Sequence, residues 1–111
     1  MKSLGLVEVQ SVTAAIDALD IMCKTAEVEF VTWERRLGGR LVTIIVTGQI
    51  SAVKQAVEAA KEKCIIEPAA CAVIANPHEE TVRILEISAS RTRKAYQAKL
   101  GENDEAYIHQ V

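Results

Sequence analysis

Residues Val28 to Gly48 read VEFVTWERRLGGRLVTIIVTG. Two β-rich runs flank Leu37-Gly38-Gly39-Arg40, and arginines stand at positions 35, 36 and 40 around the bend. Val28, Phe30, Val31, Thr32 and Trp33 suit a pleated, half-buried surface. The Gly38-Gly39 pair permits the positive φ that a tight hairpin connection requires. A lone hairpin is at best marginally stable, so the rest of the chain must cover one of its faces. Glycine and arginine at the tip, with apolar strands behind, suit contact or passage; an ordinary solvated turn fits the same spacing.

One chain of 111 residues fits a single domain with one core. Half of the residues are apolar and a quarter are charged, which describes a globular protein and not a disordered one. Small apolar residues dominate and aromatics are few, so close backbone packing is expected over a core of large side chains. A net charge of −2 gives no general attraction to nucleic acid, and no nucleic-acid partner is expected. The uncharged apolar stretches fall far below the roughly 18 residues that span a membrane, so no membrane role is expected. No apolar signal segment follows the N-terminal lysine, which makes a cytosolic location the default expectation.

The three cysteines, at 23, 64 and 71, suggest structural thiols over a disulfide framework. Cys64 and Cys71 are spaced more widely than ordinary zinc-ligand pairs, and His78 and His109 lack zinc-type spacing. Cys23 falls on the apolar side of a predicted helix, where cysteine behaves as a small hydrophobe.

The elements around the hairpin follow from local pattern. Leu4 to Val9 reads as a first strand, and Ser11 makes an N-cap for a helix. Behind it Val12, Ala15, Ile16, Leu19, Met22, Cys23 and Ala26 recur at three- and four-residue steps as one apolar stripe. Lys24 lies in the last turn, where a cation complements the helix dipole. The second hairpin strand, Leu41 to Thr47, is nearly continuous in β-formers, so both of its faces should be covered. A second helix opens near Ser51, with Val53, Ala56, Val57, Ala60 and Cys64 inward and an attractive Lys54–Glu58 spacing outside. After Pro68, Cys71 to Ala75 is a short last strand.

The order β-α-β-β-α-β is the ferredoxin-like split unit: an α+β fold whose four-stranded antiparallel sheet carries the helices on one face. The opposite face is then open or meets a partner. Asn76-Pro77-His78 forms a stop, and Glu79 to Tyr96 reads as a C-terminal helix with Val82, Leu85 and Ala89 inward. The last ~15 residues read as a loose tail. The basic cluster Arg91, Arg93, Lys94 and Lys99 reads as a solvated surface.

In this order the chain resembles the hexamer-forming, single BMC-domain shell proteins of bacterial microcompartments. The resemblance is carried by Leu4-Gly5-Leu6-Val7-Glu8, by Ala14 to Ala18 with Asp20, and by Cys23 to Val28. It continues through Gly38 to Thr43, Val46-Thr47-Gly48 with Ala52, Val53 and Ala56, and Asn76-Pro77-His78. It marks residues 1–87 as a BMC-like domain and leaves residues 88–111 as a C-terminal helical extension and flexible tail.

The resemblance implies a structural protein without catalysis or cofactor: a flat cyclic homohexamer that tiles with other shell proteins in a cytoplasmic microcompartment shell, around encapsulated enzymes. Leu37, Gly38, Gly39 and Arg40, with Arg36, are implied to line a central pore for small polar metabolites. Lys24, Asn76, Pro77 and His78 are implied to lie at the hexamer edge. A ring of arginines favours anions or polar neutral solutes; pairing with Glu34 is the plain alternative for each arginine. Trp33 is assigned to the subunit interface, where tryptophan is enriched among energetic anchors, with the core beneath the helices as its other place. Strand alternation sets Trp33 opposite Phe30 and Thr32.

Two positions depart from the family pattern. The tip loop is one residue longer than in the commonest relatives, and Asn76 stands where arginine is frequent. Asparagine lacks the charge and the planar fork that would help neighbouring tiles meet. Assembly as an open helix in place of a flat sheet is therefore an alternative. A small-molecule-sensing regulatory domain is another, since one architecture hosts many functions. A small enzyme built on Cys64, Cys71 or His78 lacks a base-and-orienter set.

Overall fold

A computed structural model describes residues 1–110 of the chain, with side chains through Gly101. The elements are β1 (Ser3–Val9), α1 (Val12–Thr25), β2 (Glu29–Arg36), a turn over Leu37–Gly39, β3 (Leu41–Gly48), α2 (Ile50–Lys63), β4 (Ala70–Ile74) and α3 (Glu79–Gln110). The strands lie in the order β2-β3-β1-β4, and each neighbouring pair is antiparallel. This is the expected β-α-β-β-α-β unit with a further helix.

The two helices pack on one sheet face through small residues. Ala14, Ala15, Ala18 and Met22 of α1 and Val53, Ala56, Val57 and Ala60 of α2 are buried against Val7, Val9, Val42, Ile44 and Val46. Alanines bring the helix axes close to the sheet, and the chain opposite yields at Gly5. A Cβ there would sit 2.9 Å from Val57 Cγ2 and 3.0 Å from Val53 Cγ1.

The expected stripe of α1 is corrected by this packing. Ile16 is half exposed and Cys23 exposed, because the alanine ridge and not the larger side chains meets the sheet. Ser11 caps α1 as expected, its Oγ accepting from the Ala14 N–H at 3.0 Å. Ser51 does not cap α2: the helix starts one residue earlier, with Gln49 at the N-cap position and no side-chain bond. Outside, Glu58 pairs with Lys61 at 4.0 Å rather than with Lys54.

The opposite face is not left wholly open. Leu4 and Ile45 are buried on it, and α3 crosses it at β2. Val82, Leu85, Ser88, Ala89 and Thr92 form the inner side of α3, the first, second and fourth as read from the sequence. The helix does not stop at Tyr96 but runs to Gln110, so the expected loose tail is helical backbone. Nothing after Pro77 breaks it: Gly101 is the one glycine in α3, and a mid-helix glycine costs only about 1 kcal/mol. Residues 87 and 88 are consecutive in this helix, and no break in the backbone separates them.

Candidate functional site

Strand register gives the sheet two distinct ends. Leu41 pairs with Arg36 and Val42 with Val9, so the hairpin tip stands where β1 runs into α1. At the other end Ser3 pairs with Gly48, Leu4 with Ile74 and Glu29 with Thr47. The last turn of α1, with Lys24, and the segment after β4, with Asn76, Pro77 and His78, both leave the sheet there. Strands of eight residues separate the two groups by roughly 25 Å.

The tip is built on three consecutive residues with positive φ: Leu37 at 54°, Gly38 at 65° and Gly39 at 87°. The glycines supply that conformation without strain, while Leu37, whose positive φ has no counterpart in its residue type, adopts it at a cost. Leu37 is 68% exposed and holds its side chain in solvent. The Arg40 backbone N–H and Nε both bond the Leu37 carbonyl, at 3.4 and 3.1 Å, which closes the turn. Arg36 lies 3.4 Å from Glu34 Oε2, the pairing that was the plain alternative. Both arginines are exposed.

Trp33 lies half-buried against the helix-side core. The Arg35 guanidinium stacks 5.1 Å from its ring centroid, a cation–π arrangement. Phe30 does not face away from Trp33 as simple alternation requires. The β2–β3 register slips between Phe30 and Thr32, so Phe30 pairs with Val46 and Trp33 with Ile44, two residues of one sheet face. A bulge of this kind re-aims side chains by inserting one unpaired residue, here Val31. Phe30, Trp33, Ile16 and Leu19 consequently line one groove of about 640 Å³ along the β2 edge, overhung by Arg91 and Tyr96 of α3. Phe30 is 42% and Ile16 50% exposed, a large apolar surface for a sheet edge.

At the opposite end, Lys24 pairs with Asp20 at 2.8 Å in solvent, and this bond holds its ammonium pKa above the ordinary value. Asn76 has φ of 48°, a left-handed conformation in which asparagine is enriched. His78 caps α3: its Nδ1 accepts the Glu80 N–H at 3.1 Å and its carbonyl accepts the Val82 N–H.

Cys23 and Cys71 show no sign of activation. Partial loss of solvent around the sulfur, joined at the largely exposed Cys23 by the Asp20 carboxylate, raises the pKa of both Cys23 and Cys71, the reverse of what a nucleophilic thiolate needs. Cys64 Sγ bonds the Ala14 carbonyl at 3.4 Å. Among the described residues no cluster of three or more His, Cys, Asp or Glu side chains could hold a metal, and no helix is long and apolar enough to cross a membrane.

Known proteins resemble this chain over most of its length. It is 43% identical over 86 residues to the bacterial microcompartment shell protein PduA of Citrobacter freundii, covering 76% of this chain and 91% of that protein. It is 37% identical over 91 residues to the carboxysome shell protein CsoS1C of Hydrogenovibrio crunogenus, covering 79% of this chain and 88% of that one. A solved microcompartment protein from Desulfitobacterium hafniense DCB superposes with a TM-score of 0.68 at 27% identity, over 79% of this chain; the match spans 48% of the length of that protein. Residues 3–77 match the model of the BMC domain, and the chain belongs to the BMC-domain family.

Proposed function

We propose that this chain is a structural component of a bacterial microcompartment shell, assembling as cyclic hexamers with other shell proteins in the cytoplasm and catalysing no reaction. The observation that supports the ring most directly is the division of the sheet into two ends. The glycine-bearing tip with Arg36 and Arg40 stands at one end; Lys24, Asn76, Pro77 and His78 stand at the other. A wedge-shaped subunit needs this arrangement, with one end at the axis and one at the perimeter.

The groove along β2 supplies the contact between wedges. Ile16, Phe30 and Trp33 leave apolar surface on the flank of the subunit, between its two ends. A heterologous contact of that kind closes into a ring when the rotation allows. Six tips would then surround an opening whose arginines favour anionic or polar neutral metabolites. The relatives in hand are shell proteins by name, which favours this reading over a ligand sensor or an enzyme.

Light scattering of the purified chain across a range of concentrations tests the proposal, with electron microscopy of the same samples. A particle of six chains, alone or in sheets, supports it. A monomer or dimer at every concentration would count against it, and filaments lacking a six-chain repeat would replace flat tiling with helical growth.

A further inference from the structure

A line of side-chain hydrogen bonds joins α3 to an arginine of the hairpin tip. Thr32, fully buried, places its Oγ1 2.9 Å from Ser88 Oγ and 3.0 Å from Thr92 Oγ1. Ser88 Oγ donates to Glu34 Oε1, while Glu34 Oε2 accepts from Arg36 Nη1 at 3.4 Å. Thr32, Glu34 and Arg36 alternate along β2 and so share the face that α3 crosses. The carboxylate of Glu34 is thus divided between a buried hydroxyl on one side and an exposed guanidinium on the other.

We propose that Ser88 is a specificity-determining residue of the pore, acting through Glu34 on the charge that Arg36 presents; the proposal rests on the pore reading given above. An exposed ion pair between two long side chains is weak because ordering them costs entropy. Ser88 removes much of that cost on the carboxylate side. A hydroxyl bonded to a carboxylate is a strong, charge-assisted contact, and Ser88 is itself buried, so Glu34 stays beside Arg36 and offsets its field. Once freed, Glu34 moves into solvent and Arg36 extends with its charge uncompensated. Six copies would make the same change around one axis. Ser88 lies in α3, outside residues 3–77 that match the BMC-domain model.

The test is the reversal potential of the assembled protein in a planar bilayer under a potassium chloride gradient, with particle mass checked by light scattering. Ser88→Ala should raise the chloride-to-potassium permeability ratio by about two- to five-fold, the range an exposed pair accounts for. The same substitution should do nothing further in a Glu34→Gln background, because Ser88 acts through that carboxylate. Ser88→Cys, close in size but a weak donor, should fall between and keeps the test open if the alanine variant does not assemble. Arg36→Gln separates the two layers of the argument. If it leaves the ratio unchanged, the pore reading fails and the proposal with it. If it lowers the ratio while Ser88→Ala and Ser88→Cys are silent, or act equally with and without Glu34, the pore stands and the control by Ser88 is overturned.

Discussion

Phe30 and Trp33 lie on the same face of β2, although they stand three positions apart and strand alternation sets them on opposite faces. The one-residue slip at Val31 brings them together, and with Ile16 they form the apolar flank of the subunit. Phe30 is 42% exposed and Trp33 is half-buried, so neither ring is enclosed by the core of one chain. Trp33→Ala and Phe30→Ser should therefore weaken assembly more than folding. Aromatic anchors at protein interfaces typically contribute 2 kcal/mol or more, so the concentration at which particles dissociate should rise about thirty-fold for Trp33→Ala. Sedimentation velocity over a dilution series checks this; assembly at wild-type concentrations would remove Trp33 from the interface.

Gly5 lies under α2 with no room for a methyl group. The atoms it would meet belong to β-branched valines, which have little rotamer freedom. Gly5→Ala should destabilise the chain by about 1–3 kcal/mol through overpacking. Urea unfolding monitored by circular dichroism would show the midpoint shift, and an unchanged midpoint would mean that α2 rides higher than described.

The two tip glycines should respond differently to alanine. Gly38 has open space where a Cβ would go, so only its φ of 65° opposes substitution. Gly39 has φ of 87° and would also bring a Cβ to 3.0 Å from Val12 Cγ2. Left-handed backbone costs a non-glycine residue roughly 1–2 kcal/mol. Gly38→Ala should lose about that much, and Gly39→Ala more, in the same unfolding assay. The reverse order would contradict the turn geometry.

Much of the fold was legible because local signals agreed with one another. Alternation, the Ser11 cap, the small-residue helices and the Gly38-Gly39 bend all point to one order of elements, and the structure has that order. The positions that escaped reading depend on partners distant in sequence. The slip at Val31 is fixed by the facing residues of β3, which alternation within β2 does not reveal. Ile16 and Cys23 turn outward because alanines approach the sheet more closely, a choice made by packing and not by periodicity. Ser88 carried no signal at all, since a serine in mid-helix acquires its role only when Glu34 and Thr32 are brought against it. No proline stands past Tyr96 to stop α3, whereas the usual looseness of chain ends points to a tail.

Thr32 anchors α3, and its removal should loosen that helix selectively. Thr32→Val preserves shape but leaves Ser88 and Thr92 without their shared partner in a buried seam. An unsatisfied buried polar group costs about 1–3 kcal/mol. Hydrogen exchange should accelerate in α3 around residues 85–92 while α1 and α2 keep their protection, and Thr32→Ser should behave as wild type. Uniform acceleration across all helices would show that the hydroxyls stabilise the whole domain instead.

The most direct test of the account is a cryo-electron microscopy map of the assembled particle. Six subunits should surround one axis, with Leu37 to Arg40 of each nearest that axis and Lys24 and Asn76 at the perimeter. A map with the tips at the perimeter, or without six-fold symmetry, would contradict it.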